Sequence, residues 1–265
     1  MPSNTHRLRR RRDAGPTRGA ATAAALVAMA LTGPVRAQTA APASGPEPGT
    51  LSAVDVEGSR TSQLGIADAA SAGIVTREQL EARTVYRPAE LLEVTPGLIV
   101  SQHSGEGKAN QFYLRGFNLD HGTDLRTTVD GVLVNQRSHA HGQGWTDLNF
   151  LMPELVAELA YRKGPYDASE GDFASAGAVS LRYADRLDRG IASLGFGQRG
   201  HRRAFIADSP QVGPGDGRLL YALEVMENDG PFVNPDDYRK LNGVLRYSRG
   251  DAANGFNVTA MAYGP

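Results

Sequence analysis

The chain of 265 residues contains no cysteine, which excludes disulfide staples and every thiolate metal or redox site. Long apolar runs are also missing. The longest, residues 20–31, is too short to cross a bilayer as a helix. Neither sign of charge dominates, with 28 Lys+Arg against 29 Asp+Glu. Charged residues at 22% and hydrophobic ones at 40% fit neither a disordered chain nor a helical membrane bundle. What is present is length for one or two domains, and 31 Gly with 15 Pro, about a sixth of the chain. That proportion favours many turns over long helices.

The charge is unevenly spread. Arg7, Arg9, Arg10, Arg11, Arg12 and Arg18 precede the Ala-rich run at 20–31, Gly33-Pro34 breaks it, and Val35-Arg36-Ala37 offers small residues where a signal peptidase reads. Together these read as a secretory signal peptide over residues 1–37. The alternative, a basic arm for nucleic acid, does not account for the apolar run. The arginines depart from a twin-arginine motif, so the general export route is expected. Cleavage after Ala37 removes seven basic residues and Asp13, leaving 21 basic against 28 acidic and a formal charge of −7. Such a surface argues against nucleic acid as a partner.

Residues 38–50 form a Pro/Ala/Ser-rich linker with nothing to bury. Residues 51–58, LSAVDVEG, alternate as a short strand would. A compact α+β region follows. Thr76 caps a predicted helix at 77–83, and Pro88 opens another at 88–94, stopped by Thr95-Pro96-Gly97. Strands are expected at 98–102 and 111–115. A hairpin is expected around Asp130-Gly131, and a helical turn at 153–159 leads into a strand at 160–163. Residues 177–183, GAVSLRY, close the region as a strand.

Beyond Asp185 helical signals vanish. Residues 191–205 are extended and Gly-interrupted. Leu219, Tyr221, Leu223 and Val225 share one face, Leu241, Gly243, Leu245 and Tyr247 another, opposite Lys240, Asn242, Arg246 and Ser248. Phe256, Val258, Ala260 and Ala262 form a further face. Alternating segments of about ten residues separated by turns mark an outer-membrane β-barrel, although a soluble β-sandwich with one wet face shares the period.

Four segments carry a resemblance. Residues 91–98 (LLEVTPGL), 112–117 (FYLRGF) followed by 129–132 (VDGV), 157–165 (AELAYRKGP) and 177–181 (GAVSL) are similar, in order and spacing, to the plug motifs of TonB-dependent outer-membrane receptors. The resemblance covers roughly residues 72–185. It implies an α+β plug domain at 59–185, followed at 186–265 by about four antiparallel strands that begin a transmembrane β-barrel. It further implies energised uptake of a scarce nutrient, such as a metal chelate or metal ion, through the outer membrane of a Gram-negative bacterium, with no catalysis. The implied partners are a TonB-type periplasmic energy-transducing protein, outer-membrane lipid and a small-molecule or metal-chelate ligand. No resident cofactor is expected.

Leu51, Ser52, Ala53, Val54, Asp55, Val56, Glu57 and Gly58 lie where the family keeps its TonB box, a segment able to add as a strand to a partner's sheet. The resemblance also makes Arg115 and Lys163 the plug cations that pair with barrel carboxylates; the family more often has Arg at the second position, and Lys cannot form the bidentate fork. Plugged transporters have about 22 strands, each of about 9–11 residues. The 80 residues after Asp185 in a chain of 265 are therefore expected to be a barrel's beginning only.

Of the histidines outside the signal segment, His103, His139 and His141 lie in Gly-rich stretches expected to be plug loops, with His121 near them in sequence and His201 beyond. His-x-His places two imidazoles together, a spacing metals use, and Asp120, Asp124, His103 and His121 are the candidates to complete a site. Residues 195–200, GFGQRG, fit G-x-G-x-x-G, yet no helix follows to meet a pyrophosphate. No G-x-S-x-G or H-E-x-x-H motif occurs. The alternatives left open are an exported soluble β-rich hydrolase or binding protein of the periplasm, and a non-functional truncated plug.

Overall fold

The computed structural model describes residues 66–251 and 253–264. The expected signal peptide, linker and TonB box at 1–58 lie outside the described residues.

The first part is a mixed α+β layer. Strands β1 (Ile66–Ala69) and β2 (Ala72–Thr76) form a hairpin, and α1 (Arg77–Glu81) follows at once. The Gln79 side chain reaches back to the Thr76 N–H at 2.9 Å, satisfying a donor that the helix start leaves free. Pro88 opens a 3₁₀ segment, Pro88–Val94, and Gly97 with φ +84° ends it in a conformation that favours glycine. A small sheet of β3 (Leu98–Ser101), β4 (Gln111–Leu114) and β5 (Phe117–Asn118) comes next. Strands β6 (Leu125–Val129) and β7 (Val132–Leu133) are joined through Asp130 and Gly131, both at positive φ, as a two-residue hairpin turn requires. Strands β8 (Val156–Lys163) and β9 (Gly177–Tyr183) complete a six-stranded sheet of order β1-β2-β8-β9-β6-β7, in which β6 runs parallel to β9 and the other pairs are antiparallel.

Leu92, Phe112, Leu119, Leu155, Leu159 and Leu181 are wholly buried at its core. Each such side chain contributes about 1.5–3 kcal/mol by leaving water. One expectation is corrected here: the helical turn proposed over 153–159 stops at Leu155, and β8 begins at Val156. Pairing on both flanks, with β2 and β9, overrides the weak helical pattern.

The second part is a five-stranded antiparallel meander: β10 (Ile191–Phe196), β11 (Arg202–Asp208), β12 (Arg218–Asn228), β13 (Tyr238–Gly250) and β14 (Gly255–Gly264). Five strands replace the four expected, because residues 191–205 are split by a turn in which Arg199 and Gly200 take positive φ. The GFGQRG stretch is part of that hairpin, which accounts for its glycines without a nucleotide. The sheet is open, with β10 and β14 at its edges.

Its two faces are inverted relative to a soluble sheet. Tyr221, Leu223, Val225, Leu241 (58% exposed), Leu245 (50%) and Val258 face outward. The inner face, packed on the plug core, carries Phe205, Leu220 and Val244 together with buried Glu224, Lys240, Asn242, Arg246 and Ser248. A soluble sandwich buries its apolar face and wets the other. Here the apolar face is the outer one, as on a lipid-facing barrel wall.

Candidate functional site

Two polar centres stand out. The first joins plug to strands. Arg203 on β11 forms a two-pronged pair with Glu154, at 2.6 and 3.1 Å, and a third bond to Glu224 at 2.7 Å. Glu224 also holds Lys240 at 3.0 Å, both side chains being under 4% exposed. Asn242 anchors the same strand region by donating to the Phe150 carbonyl at 2.6 Å. Further along β13, Arg246 bonds Asp130 of the β6–β7 turn at 2.8 Å and Asp185 at 2.7 Å. In the bridges that reach the plug, Arg203 to Glu154 and Arg246 to Asp130 and Asp185, the cation stands on the strands, while Glu224 and Lys240 pair within them.

Arg115 and Lys163 behave differently. Arg115 occupies a left-handed turn between β4 and β5, its N–H donating to the Gly97 carbonyl at 2.8 Å. Lys163 is buried at the end of β8, with Nζ 3.4 Å from the Pro96 carbonyl and 5.6 Å from the centre of the Tyr161 ring. Burial first, and then the Arg115 charge, lower its pKa from the ordinary lysine value. Among the described residues neither cation forms an ion pair with a carboxylate.

The second centre gathers the four candidate histidines of the plug, three of them against Trp145 and His103 against His121. His139 stacks on the indole at 4.4 Å between ring centres, and His121 and His141 approach it at 4.6 and 5.0 Å. His121 lies 4.6 Å from His141 and 5.0 Å from His103. The scaffold beneath is a set of loop-to-loop bonds. Gln136 and Trp145 form a bridge that closes the loop carrying His139 and His141, with the Gln136 N–H donating to the Trp145 carbonyl at 2.9 Å. Thr146 N–H donates to the His121 carbonyl at 2.8 Å. Buried Asn135 ties both loops down: its amide donates to the carbonyls of Gly122, Leu125 and Gly144, and its oxygen accepts the Thr127 N–H at 2.7 Å. Gly122 must be glycine, since φ is +119° and a Cβ would sit 2.3 Å from the Thr146 hydroxyl.

His121, only 4% exposed, places Nδ1 at 3.1 and 3.0 Å from the carbonyls of Ala109 and Asn110. Carbonyls only accept, so Nδ1 carries a proton, and in the neutral ring Nε2 holds the lone pair. Nε2 stands 3.6 Å from an Asp120 carboxylate oxygen. Burial is the leading influence on this ring and lowers its pKa, favouring the neutral form. The ligand atoms of Asp120, His121 and His141 all lie within 4.8 Å of one another.

Of the sequence candidates, His103, His121, His139, His141 and Asp120 are brought together. Asp124 is not: its carboxylate accepts from the Ser175 hydroxyl. The His-x-His pair lies in a loop, as expected, and the His141 N–H turns back to His139 Nδ1 at 3.2 Å. Trp145 and Asn135 escaped the sequence reading, although an Asn close after a Gly-containing hairpin and the chain's only Trp are the signals that could have pointed to them. Asp236 accepts the Glu106 N–H at 3.2 Å. That contact brings the loop bearing His103 against the β12–β13 connection.

Comparison with known proteins follows the geometry. The TonB-dependent receptor plug domain family matches residues 66–178. The vitamin B12 transporter BtuB of Vibrio vulnificus (strain YJ016) is 27% identical over 187 residues, covering 70% of this chain and 29% of that protein. Among solved structures, the copper transporter OprC superposes with a TM-score of 0.55 at 21% identity, covering 75% of this chain and 31% of that one. The siderophore receptor PirA from Acinetobacter baumannii gives 0.52 at 15% identity, covering 73% and 32%. At these identities the structures speak for the fold alone. Residues 66–178 are thereby matched to the TonB-dependent receptor plug domain family, and the strands that follow share the fold of the opening barrel strands in those solved structures. The chain spans under a third of the length of the curated relative it matches, and that relative is a transporter rather than an enzyme.

Proposed function

We propose that the chain is the N-terminal part of an outer-membrane receptor that imports a scarce metal-bearing solute, either an ion or a chelate, with energy from a TonB-type periplasmic protein. The observation that carries this reading is the plug seated on the polar face of strands whose opposite face is apolar. Such a sheet needs lipid outside and a protein filling inside. The metal-bearing character of the cargo rests on the four imidazoles gathered in the plug loops.

In this reading residues 1–37 are removed on export, and residues 51–58 pair as an added strand with the periplasmic partner. Main-chain hydrogen bonds, each worth about 0.5–1.5 kcal/mol net, hold while the partner pulls. Arg115 and Lys163 await carboxylates from further barrel strands. A buried lysine that feels the charge of an arginine is stabilised by such a partner.

The test is metal content in metal-limited cells expressing the receptor, together with fractionation. Val54→Pro, which removes an N–H from the pairing segment, is expected to lower cell-associated metal to the level of cells lacking the energy-transducing protein. Recovery of the protein as soluble periplasmic material, or uptake indifferent to Val54→Pro, would overturn the reading.

A further inference from the structure

We propose that the plug cluster binds an unchelated divalent transition-metal ion directly, with Asp120, His121 and His141 as its protein ligands. The proposal rests on the receptor reading above and names the substrate class of that receptor.

The first argument is geometric. His121 donates its Nδ1–H to two backbone carbonyls, which leaves Nε2 turned toward the Asp120 carboxylate, 3.6 Å away. A metal ion placed between these two atoms takes a lone pair from each. A backbone carbonyl holding the far N–H of an imidazole is also the usual way a metal-ligating histidine is oriented. At metal–ligand lengths of about 2.0–2.1 Å, tetrahedral donors stand roughly 3.3–3.4 Å apart. The observed separation is close to that. His141 completes the set within 4.8 Å, and because it is exposed on a loop its side chain can close the remaining gap.

The second argument is preorganisation. Asp120 is held at φ +48°, where the Asn118 side chain accepts its N–H at 2.9 Å and its own carbonyl accepts the Phe112 N–H at 2.9 Å. His121 is fixed through Thr146 and, one layer down, through Asn135. Two of the three ligands are therefore in place before any ion arrives, and one is adaptable. Such a site captures without requiring the loops to fold around the ion.

The third argument is donor chemistry. Two imidazoles and one carboxylate, with no thiolate in the chain, suit Zn²⁺, Cu²⁺ or Ni²⁺. Hard ions such as Mg²⁺ and Ca²⁺ want more oxygens than this cluster offers. Three protein ligands leave an open coordination position. His103, 5.0 Å from His121, and His139, against Trp145, stand beside it as second-rank imidazoles. An ion held by three ligands with others at hand can exchange, which a cargo site requires.

Trp145, the single tryptophan of the chain, touches three of these rings and reports on the site. The experiment is a titration of the full chain in detergent with CuCl₂, ZnCl₂ and NiCl₂, read by Trp145 fluorescence, and by electron paramagnetic resonance for Cu²⁺. Saturable quenching by Cu²⁺ with nitrogen coupling from two imidazoles is expected. His141→Gln and Asp120→Asn are expected to weaken binding by at least the ~10–100-fold that loss of an outer-shell partner costs, whereas His201→Gln, outside the cluster, leaves it unchanged. Both test positions carry exposed side chains, and far-UV circular dichroism confirms that the variants keep their fold. Unsaturable quenching, or equal affinity of wild type and His141→Gln, would overturn the assignment. Uptake of a metal chelate by cells with no binding of the bare ions would also overturn it while leaving the receptor reading intact. Saturable binding by a protein found only in the periplasm would uphold the site and defeat the receptor reading instead.

Discussion

The plug and the strand meander obey opposite burial rules within one chain. In the plug, Leu92, Leu155 and Leu181 point in, and Lys163 is the one buried Lys, Arg, Asp or Glu among its described residues. On β12 and β13 the buried positions hold Glu224, Lys240 and Arg246, and the exposed ones hold Leu223, Leu241 and Leu245. Both regions are β-rich and both alternate with period two, so the period itself carries no information about the surroundings. The difference lies in which face meets the partner, and it teaches that the meander is built for an apolar exterior. Two of its inward-facing cations reach the plug, Arg203 to Glu154 and Arg246 to Asp130, and Lys240 is matched to Glu224 within the sheet.

The strongest way to break this comparison is to unbalance the buried network. Glu224→Gln leaves Lys240 and one arm of Arg203 without their carboxylate, and a loss of about 3–5 kcal/mol is expected, read from the denaturant midpoint. A change below 1 kcal/mol would mean that these charges are solvated and the inner face is not sealed. The outer face is probed by Leu245→Arg, expected to cost about 2–4 kcal/mol near a bilayer midplane. On a soluble surface the same change would stay within about 0.5 kcal/mol.

The smallest effect concerns Lys163. Its folded-state pKa is depressed below the ordinary 10.5, first by burial and then by Arg115. The folded state therefore binds fewer protons than the unfolded one between the depressed value and 10.5, and stability rises with pH across that window. Below it the penalty is fully present. Lys163→Met is expected to be more stable than wild type at neutral pH, with the gap closing as pH approaches 10.5. The opposite sign would show a carboxylate from a further strand paired with Lys163.

Local features were readable from sequence. Asp130-Gly131 announced its hairpin through the need for two positive φ angles, Pro88 and Gly97 bracketed the 3₁₀ segment, and GAVSLRY matched β9 at both ends. The histidines were readable as a group because His-x-His is local. The pairing of Asp120 with His121, the ring of imidazoles on Trp145 and the staple of Asn135 were not, because each depends on loops brought together by the fold. The plug–strand bridges were hidden for the same reason: Arg203 and Glu154 are ordinary charges until the meander is laid on the plug. The split of residues 191–205 into β10 and β11 was missed because glycines in a strand and glycines in a turn look alike in sequence.

The central claim, that the outer face of the meander meets lipid, has a direct test because the chain has no cysteine to remove. Spin labels at Leu241→Cys and Asn242→Cys, adjacent on β13, are compared in reconstituted membranes for collision with oxygen and with a water-soluble nickel chelate. The label at 241 is expected to meet oxygen freely and exclude nickel, while the label at 242 is shielded from both by the plug. A label at 241 that collides freely with the nickel chelate would contradict the account.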